Sequence, residues 1–231
     1  MAGRECEQAV QPVRFQAEEA DIVVDYPSGP EGVKAGGALL NMNIILAAVD
    51  QDLAQAWEQF CAGLPNVTVH NGSILEVECD ALVSPANSYG YMDGGIDFLY
   101  SKHFGGQLEE RLKQTIRDVH GGELRIGKAV IVETGDLLIP YMIAAPTMER
   151  PRVLRDDTTN PYLACRAVLR LIKDDVFRSG KNKGKPVSEF VKTVAFPGLG
   201  TGIGKVKPDR CAYQVRVAIE EVLLGKDPHL A

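Results

Sequence analysis

The sequence predicts an α/β protein, a three-layer α/β/α sandwich around a mixed, mainly parallel sheet. Three observations carry this expectation. Strand-like and helix-like segments alternate along the chain; several strand-like segments ("NIILAAV", "ALVSPAN", "VKTVAFP") contain long apolar runs; and two of them run into glycine-bearing loops that open helices. A strand that is apolar throughout is buried on both faces, which calls for helices above and below a parallel sheet. With 231 residues, 45% hydrophobic and 24% charged, the chain suits one sizeable domain plus an extension.

Residues 1–41 read as a separate arm, because apolar periodicity is weak and "YPSGPEGVKAGGA" is dense in proline and glycine. Within the arm, "DIVVDY" is a candidate short strand. The pattern changes at Met42, which places the domain at 42–231 and makes Met42 a candidate alternative start. "NIILAAV" then reads as a buried strand and "DQDLAQAWEQFCAG" as a helix, with Asp50 as N-cap, Leu53, Trp57, Phe60 and Leu64 at helical spacing, and Gly63 as the stop. "VTVH" is a short strand before the turn "NGS", and "ALVSPAN" is a buried strand that ends in a polar loop.

Two helices follow, "GGIDFLYSKHFG" and "GQLEERLKQTIRDVHGG", the second with Leu108, Leu112 and Ile116 along one side. "KAVIVETG" and "YMIAAPT" are strands leading to the long loop around "ERPRVLRDDTTN". A strong helix is expected from Asn160 as N-cap and Pro161 as first helical residue, with Ala164, Ala167, Val168, Leu171 and Ile172 apolar. The charged run "KDDVFRSGKNKGK" reads as the end of that helix and a solvated loop. "VKTVAFP" is the last strand, and the final helix begins near Pro208 with Ala212, Val215, Ile219, Val222 and Leu223 on its buried face.

Charge and composition remove several function classes. A net charge of −6 argues against a general nucleic-acid binder, so an anionic ligand has to be caught locally, by backbone N–H groups and helix ends. No apolar run approaches the roughly 18 residues of a membrane span, and "MAGRECEQAVQPVRF" lacks a signal-type apolar core. A cytoplasmic location, or a nuclear one, follows as the default. The five cysteines are scattered and the four histidines unpaired at ligand spacing, so reduced thiols, no metal and no cofactor are expected.

The loop "AFPGLGTGIGKVKPDR" (195–210) has glycine at every second position from Gly198 to Gly204. It misses the P-loop register, which needs glycine at Leu199 and Ser or Thr at Val206, and it misses the dinucleotide fingerprint, which needs glycine at Ile203 or Lys205. A turn of this kind can serve chain reversal alone, or it can bring N–H groups to an anion. The stretch "LVSPANSYGYMDGGIDFLYSKHFG" (82–105) repeats the geometry of strand, glycine loop and helix. Two such loops at one sheet edge suit a diphosphate held from both sides.

These residues resemble the macro domains, the ADP-ribose-binding modules. "LVSPANSYGYMDGGID" is similar to the first binding loop of that family without a gap, and the resemblance places Asn87 on the distal-ribose asparagine and Asp97 on the aspartate that hydrolytic members use. Phe196, Pro197, Thr201 and Gly202 fall in register with the second loop, "NGSIL" sits beside the adenine, "IAAPT" ends a strand before a binding loop, and the likeness covers roughly 43–224. It departs at Ser73, where the family reads adenine with an aspartate; at Ser84, where the first loop has asparagine; at Met92 and Asp93 in place of glycines; and at Gly204 in place of an aromatic residue.

The resemblance implies that Ser73 and Ile74 border the base, that Gly94, Gly95 and Ile96 meet the diphosphate at a helix start, and that Leu199, Gly200, Thr201, Gly202, Ile203 and Gly204 close from the other side. It implies ADP-ribose or mono-ADP-ribosylated proteins as partners and allows hydrolysis of the glycosidic ester to an acidic side chain, with Asp97 activating water and Asn87 orienting the ribose. A non-catalytic reader and an ADP-ribose-1″-phosphate phosphatase are the alternatives. Read on their own, Asp97 is a helix N-cap or a general base, Asn87 braces its turn or binds hydroxyls, Tyr89, Tyr91 and Phe98 pack, and Lys205 is a solvated lysine.

Overall fold

In the computed structural model, which describes residues 42–228, the apolar run after Met42 forms β1 (Asn43–Ala48). The order continues α1 (Gln51–Cys61), β2 (Val67–Asn71), β3 (Ala81–Ser84), α2 (Gly95–Phe104), α3 (Gln107–His120), β4 (Val130–Glu133), β5 (Tyr141–Ala144), α4 (Asn160–Asp174), β6 (Thr193–Phe196) and α5 (Pro208–Leu224). The candidate strand "DIVVDY" and the rest of the arm lie outside the described residues.

The six strands form one sheet in the order β2-β1-β6-β3-β5-β4, parallel throughout except for the β4–β5 pair. Side chains alternate across it, as strand geometry requires. Ile44, Leu46, Val83, Ile143, Val194 and Phe196 pack with the helices α1, α4 and α5. Ala47, Leu82, Met142 and Ala195 pack with Tyr100 of α2 and with Leu108, Leu112 and Ile116 of α3. Both faces of the sheet are therefore covered, and the apolar runs in the sequence follow from that.

Local signals set the helix ends. Asp50 caps α1, its carboxylate accepting from the Leu53 N–H at 3.0 Å. The start of α4 differs from the expectation: Thr159 is the N-cap, Asn160 begins the helix, and Pro161 follows. The Asn160 side chain is drawn away from capping because its Nδ2 donates to the Thr147 carbonyl at 2.8 Å, which ties α4 to the loop after β5. The loop 175–186 is mostly exposed, but Phe177 is buried between Tyr141 and Phe190.

The parallel direction brings the carboxyl ends of β2, β1, β6 and β3 to one edge. Adjacent strands lie about 4.8 Å apart, so this edge is roughly 14 Å long from β2 to β3. The chain steps outward from β1 to β2 and, on the other side, crosses from β3 to the edge strand β4 and returns to β5, which lies between them, while β6 fills the place between β1 and β3. Such a reversal opens a crevice beyond the strand ends. Removing the α1 cap by Asp50→Ala is expected to cost about 1 kcal/mol, measured as a lower urea midpoint with an unchanged m-value.

Candidate functional site

A cleft of about 270 Å3 lies across these strand ends. Asn87, Asp97, Ser73, Ile74, Gly94, Gly95, Ile96, Gly200, Thr201, Gly202, Ile203 and Gly204 all line it, so residues 131 positions apart in the chain meet around one space. Leu199 does not: its side chain is fully buried in the core and its N–H donates to the Cys211 sulfur at 3.3 Å. Strand β6 has carried Leu199 under the loop, where it anchors the turn instead of facing a ligand.

Two sets of N–H groups belong to residues that line the cleft. At the start of α2 the N-cap is Gly94, and the first N–H groups of a helix have no intrahelical partner. Among the described residues, the N–H groups of Gly95, Ile96, Gly200, Thr201, Gly202 and Ile203 donate to no protein acceptor. Positive backbone angles give the second loop its shape, with Gly200 at φ +74°. A Cβ on Gly204 would stand 2.5 Å from the Gly200 carbonyl oxygen, so glycine is the residue this tight turn admits. The turn is tied to the loop after β5 by the Leu154 N–H, which donates to the Gly204 carbonyl at 2.9 Å. Ile203 reaches over toward Gly94, its Cδ1 3.3 Å from where a Cβ would lie.

Asp97 is the third residue of α2, not its cap. Its side chain turns inward, is 7% exposed, and accepts from the Ser84 hydroxyl at 2.7 Å. Burial pushes its carboxyl up to about 7; the Ser84 bond lowers it and the negative charge of Asp93 raises it. A carboxyl that titrates near neutrality inside a cleft can take or give a proton at physiological pH. Asn87, also 7% exposed, braces its own loop: its Oδ1 accepts from the Tyr89 and Tyr91 N–H groups at 3.1 and 3.2 Å, and its Nδ2 donates to the Tyr91 carbonyl at 2.7 Å. The side chain lines the cleft in that fixed pose.

Tyr91 and Phe98 depart from the packing roles expected of them. Tyr91 is 51% exposed, lines the cleft, and carries the Lys113 ammonium 4.2 Å above its ring; Phe98 is 45% exposed beneath Lys102. Tyr89 packs only at the surface, with its hydroxyl donating to Glu149 and the Arg150 guanidinium over its ring. Helix α2 is short and one-sided, so aromatic residues off its Asp97–Tyr100 face reach solvent. Ser73 lines the cleft, and its hydroxyl oxygen accepts from the Leu75 N–H at 3.3 Å in a short 3-10 turn (Ile74–Glu76). Asp93 is exposed at the cleft, and Lys205 is exposed as expected.

Further wall residues went unread in the sequence. Val49, Asp50 and Leu53 come from the β1–α1 corner, and Thr147, Met148 and Pro151 from the loop after β5. No local pattern marks them, apart from the position of "IAAPT" at a strand end. Among the described residues no three His, Cys, Asp or Glu side chains gather as a metal-ligand group, and no helix is long and apolar enough to cross a membrane. Four free thiols, Cys61, Cys79, Cys165 and Cys211, are buried.

The Macro domain family profile matches residues 83–215, more than half of the chain. The chain belongs to the macro domain family. An uncharacterized protein of Aquifex aeolicus is 34% identical over 157 residues, covering 68% of this chain and 81% of the relative. O-acetyl-ADP-ribose deacetylase 1 of Pantoea vagans is 30% identical over 151 residues, covering 64% of this chain and 78% of the relative. Among solved structures, the Oceanobacillus iheyensis macrodomain with ADP superposes with a TM-score of 0.53 at 18% identity, covering 68% of this chain and 75% of the other, a likeness of fold. In this macro domain β1, α1 and β2 precede the matched residues, yet Ala47 and Ala48 of β1, Leu53 of α1 and the turn from Gly72 to Leu75 after β2 build one wall of the cleft.

The raised pKa of Asp97 has a stability consequence. Between the ordinary aspartate value near 3.9 and about 7 the folded chain holds a proton that the unfolded chain has lost, so the contribution of Asp97 to stability falls as pH rises through that window. Asp97→Asn removes this loss. Relative to the native sequence, the variant is expected to gain roughly 2–4 kcal/mol of unfolding free energy between pH 4 and pH 8, read from urea unfolding at both pH values.

Proposed function

We propose that the cleft binds ADP-ribose or a close relative in extended form, and that Asp97 activates water to release mono-ADP-ribose from acidic protein side chains. The observation that carries this reading is the buried carboxylate of Asp97 at the β3 end of a cleft whose middle is bordered by unpaired N–H groups. In the reaction, a water oxygen attacks the anomeric carbon of the distal ribose, the bond from that carbon to the acyl oxygen breaks, and the protein carboxylate leaves. The water proton passes to Asp97.

Dimensions and polarity support the ligand. An edge of about 14 Å suits a molecule with a base at Ser73 and Ile74, a diphosphate over the β6 loop between Gly94–Ile96 and Gly200–Ile203, and a ribose at Asn87 and Asp97. Two similar proteins point the same way, one an O-acetyl-ADP-ribose deacetylase and one a macrodomain with ADP. With Ser73 in place of an acidic residue, its hydroxyl oxygen already accepting from Leu75, the base end offers weaker purine selection. The macro domain is assigned to 42–231 and residues 1–41 to an appended arm; a chain starting at Met42 is expected to keep ADP-ribose affinity within about threefold, a difference under about 1 kcal/mol.

Calorimetry with ADP-ribose, AMP and ADP tests binding; ADP-ribose is expected to bind most tightly. In a release assay on a mono-ADP-ribosylated acidic peptide, Asp97→Asn is expected to lose about 10²–10⁴-fold in turnover while still binding ADP-ribose. The native kcat/KM should rise with pH through about 7 as the base ionises. Binding without turnover in the native protein would make this a reader, and absence of binding would discard the ligand.

A further inference from the structure

Ser84 is the last residue of β3 and is fully buried, and it is absent from the cleft lining, whereas its partner Asp97 is part of that lining. Its hydroxyl donates to Asp97 Oδ1 at 2.7 Å. A serine beside a carboxylate can be a nucleophile or an anchor. A nucleophile has to reach the reacting atom, and Ser84 has no surface from which to do so. It therefore acts through Asp97.

Other groups around Asp97 work against its ionised form. Asp93, from the loop before α2, brings a like charge, and burial removes water. Tyr100, one turn further along α2, gives no help, because its hydroxyl donates to the Val83 carbonyl at 3.2 Å; Cys79 lies beyond it, also buried. Among the described residues Ser84 supplies the hydrogen bond that Asp97 Oδ1 accepts. A hydroxyl fixed at one oxygen leaves the other to meet water, and a donor aimed at a carboxylate favours its charged form.

We propose that Ser84 is the positioning residue for Asp97: its hydroxyl holds Oδ1, leaves Oδ2 as the oxygen that meets water, and keeps the buried carboxyl ionisable. The link to turnover rests on the hydrolytic reading above; the effect on Asp97 itself does not.

The test is a carboxyl 13C NMR titration of the ligand-free full chain, with the Asp97 signal assigned by its loss in Asp97→Asn. Ser84→Ala is expected to raise the Asp97 midpoint by about one pH unit or more, the size of a charge-assisted hydrogen bond. Ser84→Cys, nearly isosteric with a weak donor, is expected to move it the same way and covers the case in which the alanine variant does not fold. Ser84→Thr, which restores the hydroxyl, is expected to return it toward the native value. In the release assay, Ser84→Ala should lose about tenfold at pH 7 and recover most of it at pH 9, with ADP-ribose affinity at pH 9 changed less than about threefold, under about 1 kcal/mol. A midpoint that stays in place or falls in both Ser84→Ala and Ser84→Cys overturns the proposal. A raised midpoint with no turnover in any of the proteins supports the Ser84 assignment and discards hydrolysis instead.

Discussion

Strand β6 is the last to enter the sheet in sequence and lies at its middle, paired in parallel with β1 on one side and β3 on the other. The cleft depends on that insertion, because it sets the second glycine loop between the β1–α1 corner and the loop that leads to Asp97. One side chain holds the junction. Asp80, just before β3, accepts the N–H groups of Lys192 and Thr193, both at 2.8 Å, while its own N–H donates to the Thr193 carbonyl at 2.9 Å. These bonds join segments more than a hundred residues apart. Pairings of such long range are slow to form and cooperative once made.

The site handles charge without a positive field. The protein carries a net charge of −6, and the cleft is bordered by N–H groups without a protein acceptor, not by a cluster of cations. Such dipoles are effective because they are fixed in place by the turn geometry of loop 197–207 and the start of α2. Burial makes Asp97, in the same crevice, expensive to ionise. The macro domain thus places a glycine-rich loop with unpaired N–H groups and a reluctant carboxylate within one crevice, and β3 supplies the hydroxyl that meets the carboxylate.

Much of the fold was legible because periodicity and punctuation are local. Asp50 capped its helix as read, the apolar faces of α1, α3, α4 and α5 faced the core, and the glycine loops closed on one space. The site was legible where it is built from loop sequences with fixed register, and Asn87 and Asp97 do border the same cleft. It was less so where a side chain has a choice of partner. Asn160 left its capping role for the Thr147 carbonyl, Leu199 turned under the loop to the core, and Tyr91 and Phe98 stayed at the surface. Asp97, which could have capped α2, sits two residues inside it with its carboxylate on Ser84.

The sequence by itself determined the alternation of strands and helices, the double cover of the sheet and the two glycine loops, because these follow from apolar spacing and from residues whose backbone freedom is intrinsic. Tertiary structure alone decided that β6 lies between β1 and β3, that the β1–α1 corner and the loop after β5 complete the cleft, and that Ser84 meets Asp97. Each of these is a contact between segments distant in the chain. Their energies depend on burial and on competition among hydrogen-bond partners that exist only once the strands have met.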